Sequence, residues 1–127
     1  LVIFTTDQGH YSMKMAAMVT GLGTSNCIYI ESDKNGRMIP EVLEKKIVEE
    51  KSKGKFPIMV NATAGTTVLG AFDPIDKIAD ICEKYGLWLH IDVSKSLSVS
   101  FKCQQHFCLP HRAKNLITFC RACMRGR

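Results

Sequence analysis

An alternation of period constrains this chain most. Short runs of apolar and β-branched residues alternate with segments whose apolar residues recur every three or four positions. Residues 1–6, 27–30, 58–61 and 87–91 have the first pattern and read as strands. Between the first two, residues 12–19 are rich in Met and Ala and are stopped by Gly21 and Gly23, which predicts a helix. A second helix opens at Pro40, keeps Val42, Leu43 and Ile47 on one face, places Glu41 and Glu44 early and lysines late, and stops at Gly54. In the third, Ile75, Ile78, Ala79 and Cys82 repeat at helical spacing until Gly86, with Asp73 as the expected N-cap and Pro74 at the first helical position. Such alternation demands right-handed crossovers and an α/β fold, a mostly parallel sheet between helices.

The polar residues are placed just as unevenly. Asp7-Gln8-Gly9-His10 follows the first strand, the Gly/Thr-rich stretch 62–67 follows the third, and the last strand, Leu87-Trp88-Leu89-His90-Ile91, ends on Asp92. Ligands of parallel sheets bind outside the carboxyl ends of the strands, so these three segments are expected to converge on one edge. An ionised Asp92 at the end of an apolar strand is costly unless a cation or donor meets it. It reads either as a cap of the next element or as a carboxylate that keeps a ring nitrogen protonated, as pyridoxal phosphate requires to act as an electron sink. His10 is either an ordinary histidine or an imidazole stacked on such a ring. Thr66 and Thr67 are loop hydroxyls that, as a set, can donate to a polar ring substituent, with Gly65 as turn former.

Three segments carry a resemblance. His10-Tyr11-Ser12, the stretch Asn61-Ala62-Thr63-Ala64-Gly65-Thr66-Thr67-Val68-Leu69-Gly70-Ala71-Phe72-Asp73-Pro74, and Ala79-Asp80-Ile81-Cys82 leading to Asp92 resemble, in order and spacing, the group II pyridoxal-phosphate decarboxylases. Within that group they look most like the glutamate and cysteine sulfinate (acidic amino acid) decarboxylases. The resemblance covers residues 1–94. It implies the large domain of fold type I pyridoxal-phosphate enzymes, a homodimer with sites at the subunit interface, a cytoplasmic setting, and removal of the α-carboxyl of glutamate, aspartate or cysteine sulfinate. Position by position it makes His10 the residue stacked on the cofactor ring, Thr67 a cofactor-contacting hydroxyl and Asp92 the partner of the pyridine nitrogen.

Beyond residue 94 the pattern departs. Val93-Ser94-Lys95-Ser96-Leu97-Ser98 stands where the family continues with small residues and a Gly-Gly-like stretch. Leu109-Pro110-His111-Arg112 faintly echoes the Asn-Pro-His-Lys whose lysine forms the Schiff base with the cofactor. It comes too early, however, and Arg stays protonated and cannot form that bond. Lys95 and Lys114 match nothing in the family pattern, so no catalytic lysine is assigned here. The start, without Met and already strand-like, reads as lying inside a longer domain, and a non-catalytic product that binds or interferes with full-length subunits is the alternative to a decarboxylase fragment.

The net charge of +5 does not alter this reading, because residues 1–94 carry 10 Lys/Arg and all 12 acids while residues 95–127 carry the other 7 Lys/Arg and no acid. Basicity belongs to the tail, which shows no nucleic-acid recognition motif. Four of the six Cys also lie there, while Cys27 and Cys82 sit singly in apolar surroundings, which favours a reducing compartment over a disulfide framework. No run approaches the length of a membrane span. Residues 95–127 are expected to be poorly ordered, or weakly helical around residues 116–123, leaving a bare sheet edge. A zinc site from Cys103, His106, Cys108, His111, Cys120 and Cys123 is disfavoured, because its spacing, C-x4-C then an 11-residue gap, is irregular.

Overall fold

In the computed structural model, which describes residues 1–66, 70–93 and 107–109, the apolar runs are strands and the amphipathic segments are helices. The order is β1 (Val2–Thr6), α1 (Ser12–Val19), a single 3-10 turn (Thr24–Asn26), β2 (Cys27–Ile30), α2 (Pro40–Ser52), β3 (Pro57–Ala64), α3 (Ile75–Tyr85), β4 (Trp88–Val93) and β5 (Phe107–Leu109). The strands form one sheet in the order β2-β1-β3-β4-β5, parallel through β4. β5 pairs antiparallel with β4, Leu89 with Leu109 and Ile91 with Phe107. That pairing corrects the expectation of a bare edge: part of the tail covers β4 over three residues. The other expectations for the tail, a mobile or weakly helical stretch and its Cys/His cluster, lie outside the described residues.

Period two divides the strands between two faces. Val2, Phe4, Val60, Ala62, Leu89 and Ile91 pack with Leu43 and Ile47 of α2 and Ile78 and Cys82 of α3. Each large side chain fully buried there, such as Phe4, Leu43 or Ile78, contributes about 1.5–3 kcal/mol. On the opposite face Ile3 and Cys27 pack with Met13 and Ala17 of α1. Two helices thus cover one face and α1 the other, as right-handed crossovers require when the chain steps from β1 outward to β2 and then back across β1 to β3. The reversal between β1 and β3 is a topological switch point, where their carboxyl ends leave a crevice between diverging connections.

Two boundaries differ from expectation. β3 runs on to Ala64, taking in residues read as loop, and β4 runs through Asp92 to Val93. Asp73 does not cap α3: Pro74 occupies that position without a side-chain cap bond, because the Asp73 carboxylate is engaged elsewhere.

Candidate functional site at the switch point

The crevice is lined from three strand ends. After β1, the turn at Asp7-Gln8-Gly9 folds back, with Gly9 N–H donating to the Thr6 carbonyl at 3.0 Å. A side chain at Gly9 would bring its Cβ to 3.0 Å from both Thr5 Oγ1 and the Thr6 carbonyl, so any other residue would force these neighbours to give way by a few tenths of an ångström. His10 then leads into α1. Its ring is exposed, Nδ1 accepts the Ser12 N–H at 3.3 Å, and the ring lies 4.3 Å from that of Tyr11 at a 41° tilt. With Nδ1 occupied as an acceptor, the neutral imidazole carries its proton on Nε2.

On β3, Asn61 and Thr63 point to the α1 face, the face of Thr5 on β1 and of His90 and Asp92 on β4. The register sets Thr5 beside Asn61, Asn61 beside His90 and Thr63 beside Asp92. Asn61 Nδ2 donates to Thr5 Oγ1 at 3.1 Å, which confirms the shared face. Asn61 Oδ1 and the Thr63 hydroxyl are fully buried and have no partner among the described residues. Buried polar atoms are seldom left unmet, and each costs about 1–3 kcal/mol when they are. Asp92 is half-buried, and among the described residues no cation pairs with it.

Beyond Ala64 the chain turns sharply. Gly65 has φ +88°, Gly65 and Thr66 N–H both reach the Ala71 carbonyl, and Thr66 Oγ1 accepts the Ala71 N–H at 3.0 Å. The Thr66 hydroxyl oxygen therefore braces the loop from within. Thr67 lies outside the described residues.

The structure therefore brings His10 and Asp92 to the same carboxyl edge, on the α1 side of the sheet. Strands about 4.8 Å apart set β1 and β4 roughly 10 Å from each other across β3, a gap that a flat heterocycle spans. A half-buried carboxylate without a cation, an exposed imidazole and unmet buried oxygens between them fit a protonated heteroaromatic ring with polar substituents, and pyridoxal phosphate is such a ring. Pattern reading named His10, Asp92 and the Thr63 to Thr67 segment, but took Thr63 for loop where it is strand, and gave Asn61 no role of its own. Their signal was present, two polar residues two apart in an otherwise apolar strand. Among the described residues no three His, Cys, Asp or Glu side chains converge as metal ligands.

Comparison with known proteins decides the family. The profile of the pyridoxal-dependent decarboxylase conserved domain matches residues 1–108. The chain belongs to the pyridoxal-dependent decarboxylase family. The match extends past residue 94 into β5. Among its relatives, a glutamate decarboxylase of Drosophila melanogaster is 61% identical over 94 residues, and the acidic amino acid decarboxylase GADL1 of Bos taurus is 57% identical over the same length. Each alignment covers 74% of this chain and 18% of the relative, so the chain spans under a fifth of the relatives' length. The crystal structure of mouse CSAD superposes with a TM-score of 0.70 at 49% identity, over 71% of this chain and 19% of that one. The neighbours of this family-typical sheet include a complex with pyridoxal phosphate, the family's cofactor.

Proposed function

We propose that the chain supplies the ring-binding portion of a decarboxylase that removes the α-carboxyl of an acidic amino acid. The observation that carries this is the placement of His10 and Asp92 on one edge at the switch point, beside the unmet hydroxyl of Thr63. When bound, pyridoxal phosphate accepts the electron pair left behind as the α-carboxyl departs as carbon dioxide. Asp92 holds the proton at the pyridine nitrogen, since an ionised carboxylate facing a ring N–H keeps the ring cationic. His10 would stack on the ring and shield that side from water, and the family resemblance assigns Thr67 a hydroxyl that would meet a polar ring substituent. Glutamate, aspartate or cysteine sulfinate is the proposed substrate class, supported by the names of the Drosophila and bovine relatives. A homodimer and a cytoplasmic setting complete the reading, both implied by the family resemblance, and the buried free thiols of Cys27 and Cys82 agree with the reducing setting.

Equilibrium dialysis of pyridoxal phosphate against the 127-residue chain tests ring binding. Asp92→Asn removes a charge-assisted hydrogen bond and should weaken binding by about tenfold or more, whereas His10→Ala loses a stacking contact and should cost a few-fold. Unchanged affinity in Asp92→Asn would overturn the assignment. For the substrate class, residues 1–94 would replace the matching segment of the Drosophila relative. The chimera should release carbon dioxide from glutamate, aspartate or cysteine sulfinate, and inactivity of a folded, cofactor-loaded chimera on all three would count against the reading.

A further inference from the structure

Asp73 lies behind the crevice and meets it through the backbone of Thr63, with its carboxylate fully committed. The residue is 5% exposed; Oδ1 accepts the Met38 N–H at 2.7 Å and Oδ2 accepts the Thr63 N–H at 2.7 Å. The backbone N–H of Asp73 donates to the Thr63 carbonyl at 2.9 Å, and its own carbonyl accepts the Ile75 N–H at 2.8 Å.

The arrangement answers a shortage of partners. β1 runs beside β3 only as far as the pairing of Thr5 with Asn61, while β4 continues alongside to Ala64. Past Asn61 the vacated side of β3 is taken by residues 71–73 running back antiparallel, with a bridge between Ala64 and Phe72. An ordinary antiparallel pair would use the Asp73 carbonyl to receive the Thr63 N–H. Here the carboxylate receives it, which frees the carbonyl to start α3, while the second carboxylate oxygen reaches across the end of β1 to Met38. One side chain thus fixes the end of β3, the returning residues 71–73, and the segment after β2.

We propose that Asp73 is a positioning residue for the crevice: by gripping Thr63 and Met38 through their backbone N–H groups, it sets the exit of β3, the turn at Gly65 and Thr66 that follows, and the Thr63 hydroxyl beside Asp92. The inference deepens the ring-binding reading and, for its effect on affinity, rests on it. Asp73→Asn keeps one acceptor and turns an amide N–H₂ toward the other backbone donor, so the grip is half lost. Asp73→Ala removes it.

The test uses the full 127-residue chain with two readouts, residue-resolved hydrogen exchange and pyridoxal phosphate affinity. In Asp73→Asn, the Gly65, Thr66 and Ala71 amides should exchange about tenfold faster while Leu43 and Ile47 of α2 stay unchanged, and the ring should bind about tenfold more weakly. Equal acceleration at all five amides would show a merely structural role and overturn the proposal. So would unchanged loop amides, or unchanged affinity despite a loosened loop. If the parent chain binds no pyridoxal phosphate, the ring-binding reading fails, and the exchange pattern still decides whether Asp73 sets the loop. Should both variants fail to fold, the parent chain decides: the Met38 and Thr63 amide protons should follow one shared titration in the acid range, and independent behaviour would refute the shared grip.

Discussion

Among single residues, Thr63 shows most sharply the tension between fold and function. Its hydroxyl is buried without a partner among the described residues, so Thr63→Val, which swaps the hydroxyl for a methyl of similar shape, should stabilise the chain by about 1 kcal/mol. The urea midpoint should rise while affinity for pyridoxal phosphate falls several-fold, with Thr63→Ser restoring the affinity. A variant with both properties unchanged would remove Thr63 from the site. Cys82 is the converse case. Burial pushes its thiol up to about 12, so it serves as packing under α3 and should resist alkylation at pH 8 in the native chain. That His10 and Asp92 share one edge of the sheet was legible in the sequence because each follows an apolar run. The roles of Asn61 and Asp73 were not, because both depend on which strand ends first, and that is fixed by register between segments distant in sequence.

At the scale of elements, capping and charge were read with unequal success. Pro40 does open α2, whose preceding residue Ile39 is extended and offers no side-chain cap. The acid at the head of α3 was assigned to capping by its place before proline, but the bare edge of β3 offered Asp73 two buried donors and won. The end of α2 carries a compact set of ion pairs: Glu49 meets Lys46 at 3.0 Å and Lys53 at 2.6 Å, and Glu50 meets Lys53 and Lys55, each at 2.8 Å. The hydrogen bond from Lys53, then that from Lys46, holds Glu49 down to about 2 against an ordinary 4.5. A carboxyl lowered on folding adds stability that is full above its unfolded value and is lost as pH falls from there through the folded one. The midpoint difference between the parent and Glu49→Gln should therefore be largest near neutrality, shrink between about pH 4.5 and 2, and narrow further in high salt because these groups are solvent-screened. Asp73 has the opposite sign. Burial raises it, the Met38 and Thr63 N–H bonds offset part of the rise, and the carboxylates of Asp33 and Asp7 add to it, so its ionisation costs stability as pH rises through the raised value.

Over the whole molecule, the alternation of periods made the sheet, its parallel sense and the helix count legible, because every crossover has the same hand and each apolar run is long enough for a buried strand. The strand order was not, since no local pattern says that the chain reverses at β1, and that reversal is what creates the crevice. The β5 pairing also escaped, as a three-residue strand has too few positions to show a period. These features separate binding from turnover. The crevice places a carboxylate, an imidazole and unmet oxygens around one edge, while no lysine in the 127 residues stands in the family's Asn-Pro-His-Lys setting. A ligand that binds only the folded crevice stabilises it by about 2.7 kcal/mol when present at 100 times its dissociation constant. Added pyridoxal phosphate should therefore raise the thermal midpoint in step with the logarithm of its concentration, and Asp92→Asn should flatten that dependence. The same samples should release no carbon dioxide from glutamate. A borohydride-trapped adduct on Lys95 or Lys114 together with turnover would show that one of them replaces the family's lysine, whereas a midpoint indifferent to pyridoxal phosphate would show that the crevice does not hold the ring. Stabilisation without turnover is the outcome expected of a crevice that can hold the ring in a chain without the family's lysine motif.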